Sequence, residues 1–239
     1  MTQMPPDPVT PLTESEAFEA ARALARPLGE QLARYAAWHC QLEPAEAEAY
    51  QALVDRVSAF DWSSAAPTVG TALSEFLLPD STGRLVGLRT LMSKGPVVVS
   101  FNRGHWCNFC RLELAALGQA AATIADRGAR IVSITPERAP FANALKRDLD
   151  LPFPVLCDVD LGYALENGLV MPLGMRLREM FLQCGLDLEV FQGHAGWFVP
   201  VPATFVLRPD GKITAAFVDP DFRHRMPIED ILDALEHTT

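Results

Sequence analysis

Hydrophobic and polar positions recur with two different periods along the chain, and the change near Ala66 predicts how the chain is organised. Before that residue, apolar side chains recur three or four positions apart, the spacing of one face of an α-helix. After it, short apolar runs rich in β-branched residues alternate with helical stretches and turn-forming residues. The sequence therefore predicts a helical extension over residues 1–66 and an α/β domain over residues 67–239. Residues 1–11 carry four prolines and are predicted to be a flexible lead-in.

Two helical segments with one apolar face each make up the predicted extension. Thr13 and Glu16 fit a capping box, so a helix should begin there. Its apolar face consists of Leu24, Leu28, Leu32 and Tyr35. Pro27 and Gly29 should kink or split this helix. A second helix should begin at Pro44, and its apolar face consists of Tyr50, Leu53, Val54 and Val57. Such faces need a partner, which is either the main domain or the second subunit of a homodimer.

The α/β domain is predicted from a regular succession of elements. Residues 81–83 form a turn between short strands, and an insert with a helix over residues 173–184 occupies about residues 150–200. The other predicted elements are buried strands at 97–101 and 129–135, helices over 107–125 and 138–148, a hairpin of residues 202–207 and 212–218, and a last helix from Pro227 to about His237. This order predicts a mixed central sheet with helices on both faces.

Charge and composition exclude several classes of function. The 239 residues are 49% hydrophobic and carry a formal net charge of −10, so neither a nucleic acid nor an anionic membrane is an expected partner. No run approaches the roughly 18 apolar residues of a membrane span, and the start has no secretory pattern. The five cysteines, at positions 40, 107, 110, 157 and 184, do not form a secreted disulfide framework. We therefore expect a cytoplasmic protein.

Candidate chemistry lies in the stretch VVVSFNRGHWCNFCRLEL, residues 97–114, where a buried strand runs into a turn and then a helix. Cys107 stands at the predicted helix start, where unpaired backbone N–H groups favour the thiolate and the sulfur can stay exposed. Cys110 lies one turn further and can attack a mixed disulfide on Cys107. The spacing therefore predicts a two-step exchange in which Cys107 attacks and Cys110 resolves.

Two other roles are compatible with this cysteine spacing. Structural zinc uses the same spacing but needs two further ligands, and neither a second cysteine pair nor a spaced histidine pair is present, so we expect no metal. Two cysteines buried in a core are the other alternative. Cys40, Cys157 and Cys184 are expected to be small core residues, and Cys184 is the one candidate for an extra resolving thiol. No cofactor is expected.

These residues resemble a known family. WCNFC resembles the Trp-Cys-x-x-Cys site of the thioredoxin superfamily, and PATF resembles its cis-proline segment. The likeness extends over about residues 67–239 to peroxiredoxin-like proteins of the AhpC/TSA group, through blocks such as LPFPVLCD, VPATFVLRPDG and AFVDPDFRHRM. It implies a thioredoxin-like fold and a thiol-dependent oxidoreductase, with Cys107 attacking and Cys110 resolving. A cis Pro202 would lie beside the sulfurs and leave an open approach to them. The implied partners are a thiol reductant, either thioredoxin or a low-molecular-weight thiol, and a disulfide or hydroperoxide substrate.

Departures from the family pattern change the expected substrate. Peroxiredoxins place a Thr or Ser three residues before the attacking cysteine and a Pro four residues earlier still, where this chain has Gly104 and Ser100. Since the missing hydroxyl binds peroxide, we predict disulfide exchange with only modest peroxidase turnover. The alternative to an enzyme is a redox sensor or interaction protein in which the cysteine pair is a switch.

Several neighbouring side chains are candidates for supporting roles. Arg103 is predicted to stabilise the thiolate or orient a peroxide, and Trp106 to pack beside the site and limit access. His105 is a candidate for the same role as Arg103, and the alternative is that His105 is an ordinary turn residue. His194 is expected to be a loop residue without a role. The charged cluster of Asp219, Asp221, Arg223 and Arg225 is expected to form structural salt bridges.

Overall fold

A computed structural model describes residues 13–60, 65–236 and 238 of the chain. The proline-rich start, for which a flexible lead-in is predicted, lies outside the described residues. The helices are α1 (Glu14–Arg22), α2 (Leu28–Leu42), α3 (Pro44–Val57), α4 (Leu88–Met92), α5 (Asn108–Asp126), α6 (Ala139–Asp148), α7 (Gly162–Glu166), α8 (Met175–Gln183), α9 (Leu188–Gln192) and α10 (Ile228–Glu236). The strands are β1 (Leu77–Pro79), β2 (Leu85–Gly87), β3 (Val97–Phe101), β4 (Arg130–Thr135), β5 (Val155–Cys157), β6 (Val170–Pro172), β7 (Phe198–Pro200), β8 (Ala203–Leu207) and β9 (Ile213–Val218).

The central sheet has five strands in the order β5-β4-β3-β8-β9. The strands β3, β4 and β5 run parallel, whereas β8 is antiparallel to β3, and β9 to β8. Every residue of β3 and β8 is buried, as expected for central strands covered on both faces. The mixed sheet predicted from the sequence is therefore confirmed. Two small ribbons, β1-β2 and β6-β7, lie outside it.

The first three helices form where the sequence predicts them. The hydroxyl of Thr13 accepts a hydrogen bond from the Glu16 backbone N–H, which caps α1. Pro27 precedes α2 and separates it from α1, and Pro44 occupies the first turn of α3. The predicted insert helix is present as α8. None of the helices in the described part of the chain combines the length and hydrophobicity that crossing a membrane requires.

One hydrophobic cluster joins the N-terminal helices to the end of the central sheet. Leu32 of α2 and Leu53 of α3 are each 2% exposed, and they belong to the same buried cluster as Cys107 and Cys110. Val201, just before β8, is in this cluster too. The apolar faces predicted for the extension therefore pack against the part of the main domain that carries the cysteine pair, except for Leu24, which lies between α1 and α2 and outside this cluster.

Candidate functional site

The cysteine pair lies where β3 ends and α5 begins. Cys107 is the N-cap residue of α5, and its sulfur accepts a hydrogen bond from the Cys110 backbone N–H, with 3.4 Å between Sγ and N. An N-cap acceptor pairs one of the backbone donors that a helix start leaves free. The thiol of Cys107 is thus placed by the helix start, as the sequence predicts.

Arg103 provides the nearest positive charge to Cys107. Its Nη2 atom lies 3.1 Å from Cys107 Sγ, and its side chain is buried. Burial by itself opposes ionisation of the thiol. The side-chain hydrogen bond from Cys110 and the charges of Arg103 and Arg225 outweigh that effect and lower the pKa of Cys107 to about 5. This lowered pKa favours the thiolate of Cys107 at neutral pH.

Cys110 has the opposite character. Burial, together with its hydrogen bond to Cys107 and the negative charge there, holds the pKa of Cys110 well above its usual range. Its sulfur lies 3.4 Å from the Arg103 backbone nitrogen and 3.3 Å from Nη2 of Arg225. The two pKa shifts therefore run in opposite directions, which favours a thiolate at Cys107 and a protonated thiol at Cys110.

Arg225 belongs to the site, although the sequence assigned it to a structural salt-bridge cluster. Its Nε atom lies 2.5 Å from Oε2 of Glu113, a buried carboxylate of α5. Oε1 of Glu113 accepts hydrogen bonds from the hydroxyls of Ser100, at 3.2 Å, and Thr204, at 2.9 Å. The rest of the cluster does form ion pairs, among them Arg223 with Asp221 at 2.7 Å. A sequence signal for Glu113 did exist, because it is a charged residue between two apolar ones in the first turns of α5.

Glu137 is a second buried carboxyl group that the sequence analysis did not identify. Its Oε1 atom accepts a hydrogen bond from the His105 backbone N–H at 2.9 Å, and its Oε2 atom has no partner in the described part of the chain. Burial raises the pKa of Glu137 to about 8. Gly104 has a φ of +127°, and a Cβ atom built there would lie 2.4 Å from Glu137 Oε1. Glu137 therefore fills the space beside the position where peroxiredoxins carry a hydroxyl.

An aromatic layer covers the guanidinium of Arg103. The Cζ atom lies 3.6 Å from the ring centre of Phe222 and 5.0 Å from that of Trp106. Such stacking holds a planar cation in place without neutralising it. Trp106 therefore lies beside the site, as predicted, and is half-buried there.

The sulfur of Cys107 is not exposed, contrary to the sequence prediction. The residue is only 2% exposed because the N-terminal helices and α8 lie over it. A cavity of about 200 Å³ remains against it, which we call the site cavity. Its walls include Glu14, Tyr35, His39, Glu46 and Tyr50 from α1–α3, and Arg103, Trp106, Cys107, Phe109, Phe181 and Cys184 from the main domain.

Pro202 differs from its predicted geometry. No cis peptide bond occurs among the described residues, so the Val201–Pro202 bond is trans and the prediction of a cis bond is wrong. Pro202 is buried immediately before β8, and Ala203 pairs with Phe101 at the end of β3 that leads to the cysteines. Val201 is fully buried, so this segment packs into the core beside the cysteine pair.

The two candidate histidines lie away from the sulfurs. Nε2 of His105 lies 3.0 Å from Oδ2 of Asp148, so this ring pairs with α6 instead of the thiolate. Nδ1 of His194 accepts a hydrogen bond from the Gly196 N–H at 3.1 Å, and the residue is not part of the wall of the site cavity.

The remaining cysteines are not all core residues. Cys157 is buried, and burial raises its pKa to about 11, in agreement with the prediction. Cys40 and Cys184 are exposed, so the prediction that they are small core residues is wrong. The described residues contain no group of three or more His, Cys, Asp or Glu side chains arranged to hold a metal ion.

Comparison with known proteins shows which family the chain belongs to. The model of the AhpC/TSA family matches residues 69–216, more than half of the chain. The chain belongs to the AhpC/TSA family. It is thus a peroxiredoxin-like, thiol-dependent oxidoreductase of the thioredoxin superfamily, and its cysteine pair lies inside the matched region.

The individual proteins that resemble this chain share less than 30% of its residues. Prostamide/prostaglandin F synthase from Salmo salar is 28% identical over 170 residues, which cover 67% of this chain and 84% of that protein. Peroxidoxin BcpB from Mycobacterium tuberculosis has a TM-score of 0.56 at 22% identity, over 72% of this chain and 97% of that one. Peroxiredoxin 6 of Arenicola marina has a TM-score of 0.58 at 16% identity, over 72% and 73% of the two chains. At these identities the two structures support the fold alone.

Proposed function

We propose that this AhpC/TSA protein reduces small oxidants with the Cys107–Cys110 dithiol, Cys107 attacking and Cys110 resolving. The contrast between the two sulfurs carries the proposal: Cys107 Sγ lies 3.1 Å from the Arg103 guanidinium and is ionised, whereas Cys110 keeps its proton. Arg103 and Arg225 hold the charge in place, Trp106 keeps Arg103 in position, and the buried Pro202 leads into β8 beside β3.

The size of the approach favours a small oxidant over a protein disulfide. Cys107 is 2% exposed and borders a cavity of about 200 Å³, smaller than the roughly 300–1,000 Å³ of pockets that hold drug-sized ligands. A folded protein cannot bring a disulfide to that sulfur without displacing the N-terminal helices. A hydroperoxide of a few heavy atoms fits, and so does a low-molecular-weight thiol as reductant. The ranking predicted from the sequence, with disulfide exchange first, is therefore reversed in this proposal.

The proposed reaction has two steps. The Cys107 thiolate attacks one oxygen of the hydroperoxide, the O–O bond breaks, and the departing oxygen takes up a proton, which leaves a sulfenic acid on Cys107. The Cys110 sulfur then attacks Cys107, loses its proton and releases water, and a Cys107–Cys110 disulfide forms. Two thiol groups of the reductant are oxidised to a disulfide as this bond is reduced.

The test is to present oxidants of different size to the reduced protein. We expect hydrogen peroxide and tert-butyl hydroperoxide to form the Cys107–Cys110 disulfide, detected by mass spectrometry, and turnover to continue with a small dithiol. A model protein disulfide should react far more slowly, and thioredoxin should be the poorer reductant. Cys107→Ser should abolish turnover, and Cys110→Ser should leave Cys107 as a sulfenic acid.

Two results would contradict the proposal. If no oxidant produces a bond between Cys107 and Cys110, the dithiol mechanism is wrong. If the disulfide forms once per chain but no thiol restores the reduced state, the pair acts as a switch and the protein is a redox sensor.

A further inference from the structure

His39 of α2 is a buried polar side chain that the dithiol mechanism does not use. It is 3% exposed and lines the site cavity together with Cys107. Neither Nδ1 nor Nε2 has a hydrogen-bond partner in the described part of the chain. A buried imidazole without partners is costly, so an uncompensated one beside a reactive sulfur indicates a ligand.

The ring of His39 is held in a fixed orientation. It stacks between Tyr35, with ring centres 6.0 Å apart, and Tyr50, with ring centres 5.4 Å apart. The hydroxyl of Tyr35 donates a hydrogen bond to Oε1 of Glu14 at 2.6 Å, so that hydroxyl is not the partner of the imidazole. His39 is thus preorganised, which is what a group that stabilises charge in a reaction needs.

Other residues that line the same cavity also carry unpaired donors. Nε1 of Trp106 and the Nε and Nη1 atoms of Arg103 also have no partner within the described residues. Arg103 is already engaged with Cys107 through Nη2. Residues with unpaired donors therefore meet in the wall of this cavity from two parts of the chain, one of them the N-terminal helices. His39 lies outside residues 69–216, the region that the family model matches.

We propose that His39 donates an N–H hydrogen bond to the oxygen that leaves when the Cys107 thiolate attacks a small hydroperoxide. The step breaks the O–O bond, transfers one oxygen with its proton to sulfur, and leaves negative charge on the other oxygen, which is protonated from water. His39 stabilises that charge and so takes over the role of the hydroxyl that is absent at Gly104. The inference rests on the proposed function.

The charges around the cavity indicate which hydroperoxides are accepted. Glu14 and Glu46 contribute carboxyl groups to the wall on the side of the N-terminal helices. These groups repel an anionic substrate at the approach to Cys107. The favoured substrate is therefore a small, uncharged hydroperoxide.

The test compares two reactions of the same sulfur. Oxidation by tert-butyl hydroperoxide needs a donor for the leaving oxygen, whereas alkylation by iodoacetamide releases iodide and needs none. His39→Phe keeps an aromatic ring between the two tyrosines but removes the donor, and His39→Gln retains an N–H donor. We expect His39→Phe to lower the oxidation rate of Cys107 by about 10²-fold, the order found for one preorganised donor. Its alkylation rate should stay unchanged, and His39→Gln should recover most of the oxidation rate.

Cys40→Ser is the matched control, since Cys40 is the next residue of α2 and is exposed. The ratio of the two rates within one variant separates a loss of the donor from a general disturbance of packing. An equal fall in both rates, or no fall in either, would overturn the role of His39 while leaving the dithiol chemistry intact. If the unaltered protein is not oxidised by hydroperoxides at all, the inference fails together with the proposed oxidant, and the unaltered protein alone shows this.

Discussion

Burial and positive charge act in opposite directions on the Cys107 thiol, and charge prevails. Taking a thiolate out of water is unfavourable, yet Arg103 donates to the sulfur directly and Arg225 adds a second positive charge nearby. Glu113 neutralises part of the charge of Arg225, and Nη2 of Arg225 contacts the sulfur of Cys110, not that of Cys107. The nearest uncompensated charge therefore belongs to Arg103, and it lowers the pKa of Cys107 together with the hydrogen bond from Cys110.

We expect the alkylation of Cys107 to depend on pH with a midpoint near 5, because that is the pKa set by its surroundings. Iodoacetamide should be used on a chain carrying Cys40→Ser and Cys184→Ser, so that the exposed thiols do not contribute. Cys110 stays in place because its hydrogen bond helps to lower the pKa of Cys107, and peptide mass spectrometry measures the modification of Cys107 alone. Adding Arg103→Gln should raise the midpoint by about 1–3 units, the usual effect of an adjacent opposite charge.

Arg223→Gln is the matched control for that experiment, since Arg223 pairs with Asp221 and does not contact either sulfur of the pair. A midpoint between pH 8 and 9 in the parent chain would contradict the thiolate assignment. Equal shifts in the Arg103 and Arg223 variants would mean that the effect of charge is not local.

At the scale of elements, α1–α3 form part of the site as well as part of the core. The Cys-x-x-Cys spacer contacts them directly: the ring of Phe109 lies 4.9 Å from that of Tyr35, and Nδ2 of Asn108 lies 2.9 Å from the Tyr35 hydroxyl. Arg56 of α3 also donates to the carbonyl groups of Pro172 and Leu173 in the insert. Through these contacts α1–α3 form one wall of the site cavity.

Shortening one buried leucine of α3 should therefore destabilise the main domain. Leu53 is 2% exposed within the cluster that contains the cysteines, so Leu53→Ala should lower the free energy of unfolding by about 2–5 kcal/mol. Leu182→Ala, at a residue of α8 that is 44% exposed, should change it by less than about 0.5 kcal/mol. Denaturant titration measures both. Equal midpoints for the two variants would show that the N-terminal helices do not contribute to the core.

At the scale of the whole molecule, two buried groups make opposite contributions to stability as pH changes. The pKa of Cys107 is lowered from 9.0 to about 5, so its contribution is present above pH 9 and is lost as pH falls towards 5. The pKa of Glu137 is raised from 4.5 to about 8, so its contribution is present below pH 4.5 and is lost as pH rises towards 8. Between pH 5 and 8 the two effects oppose each other.

Substituting either Cys107 or Glu137 should reveal how the other group changes the free energy of unfolding with pH. Relative to the unaltered chain, Glu137→Gln should make the free energy of unfolding rise more steeply between pH 5 and 8, and Cys107→Ser should make it fall. Each change in slope should approach, but not exceed, about 1.4 kcal/mol per pH unit. Urea titrations at pH 5, 6, 7 and 8 under reducing conditions measure these slopes. Parallel pH profiles for all three chains would rule out the opposed shifts.

The sequence by itself determined the elements and the place of the reactive pair. Strand β3, the helix start at Cys107 and the hairpin β8–β9 follow from short-range patterns, because burial on both faces, N-caps and turn residues leave a local signature. Thr13, Pro27 and Pro44 determine the ends of the first helices for the same reason.

Only the tertiary structure decided what surrounds the sulfurs. His39, Glu137 and Arg225 are far apart in the chain, and no local pattern marks them as neighbours of Cys107 or Cys110. The prediction that Cys107 is exposed was wrong, because the residues around Cys107 do not show that the N-terminal helices, distant in the sequence, fold over it. Which polar groups meet in a buried cavity depends on how distant elements pack, and that packing determines both the charge of the thiol and the size of its substrate.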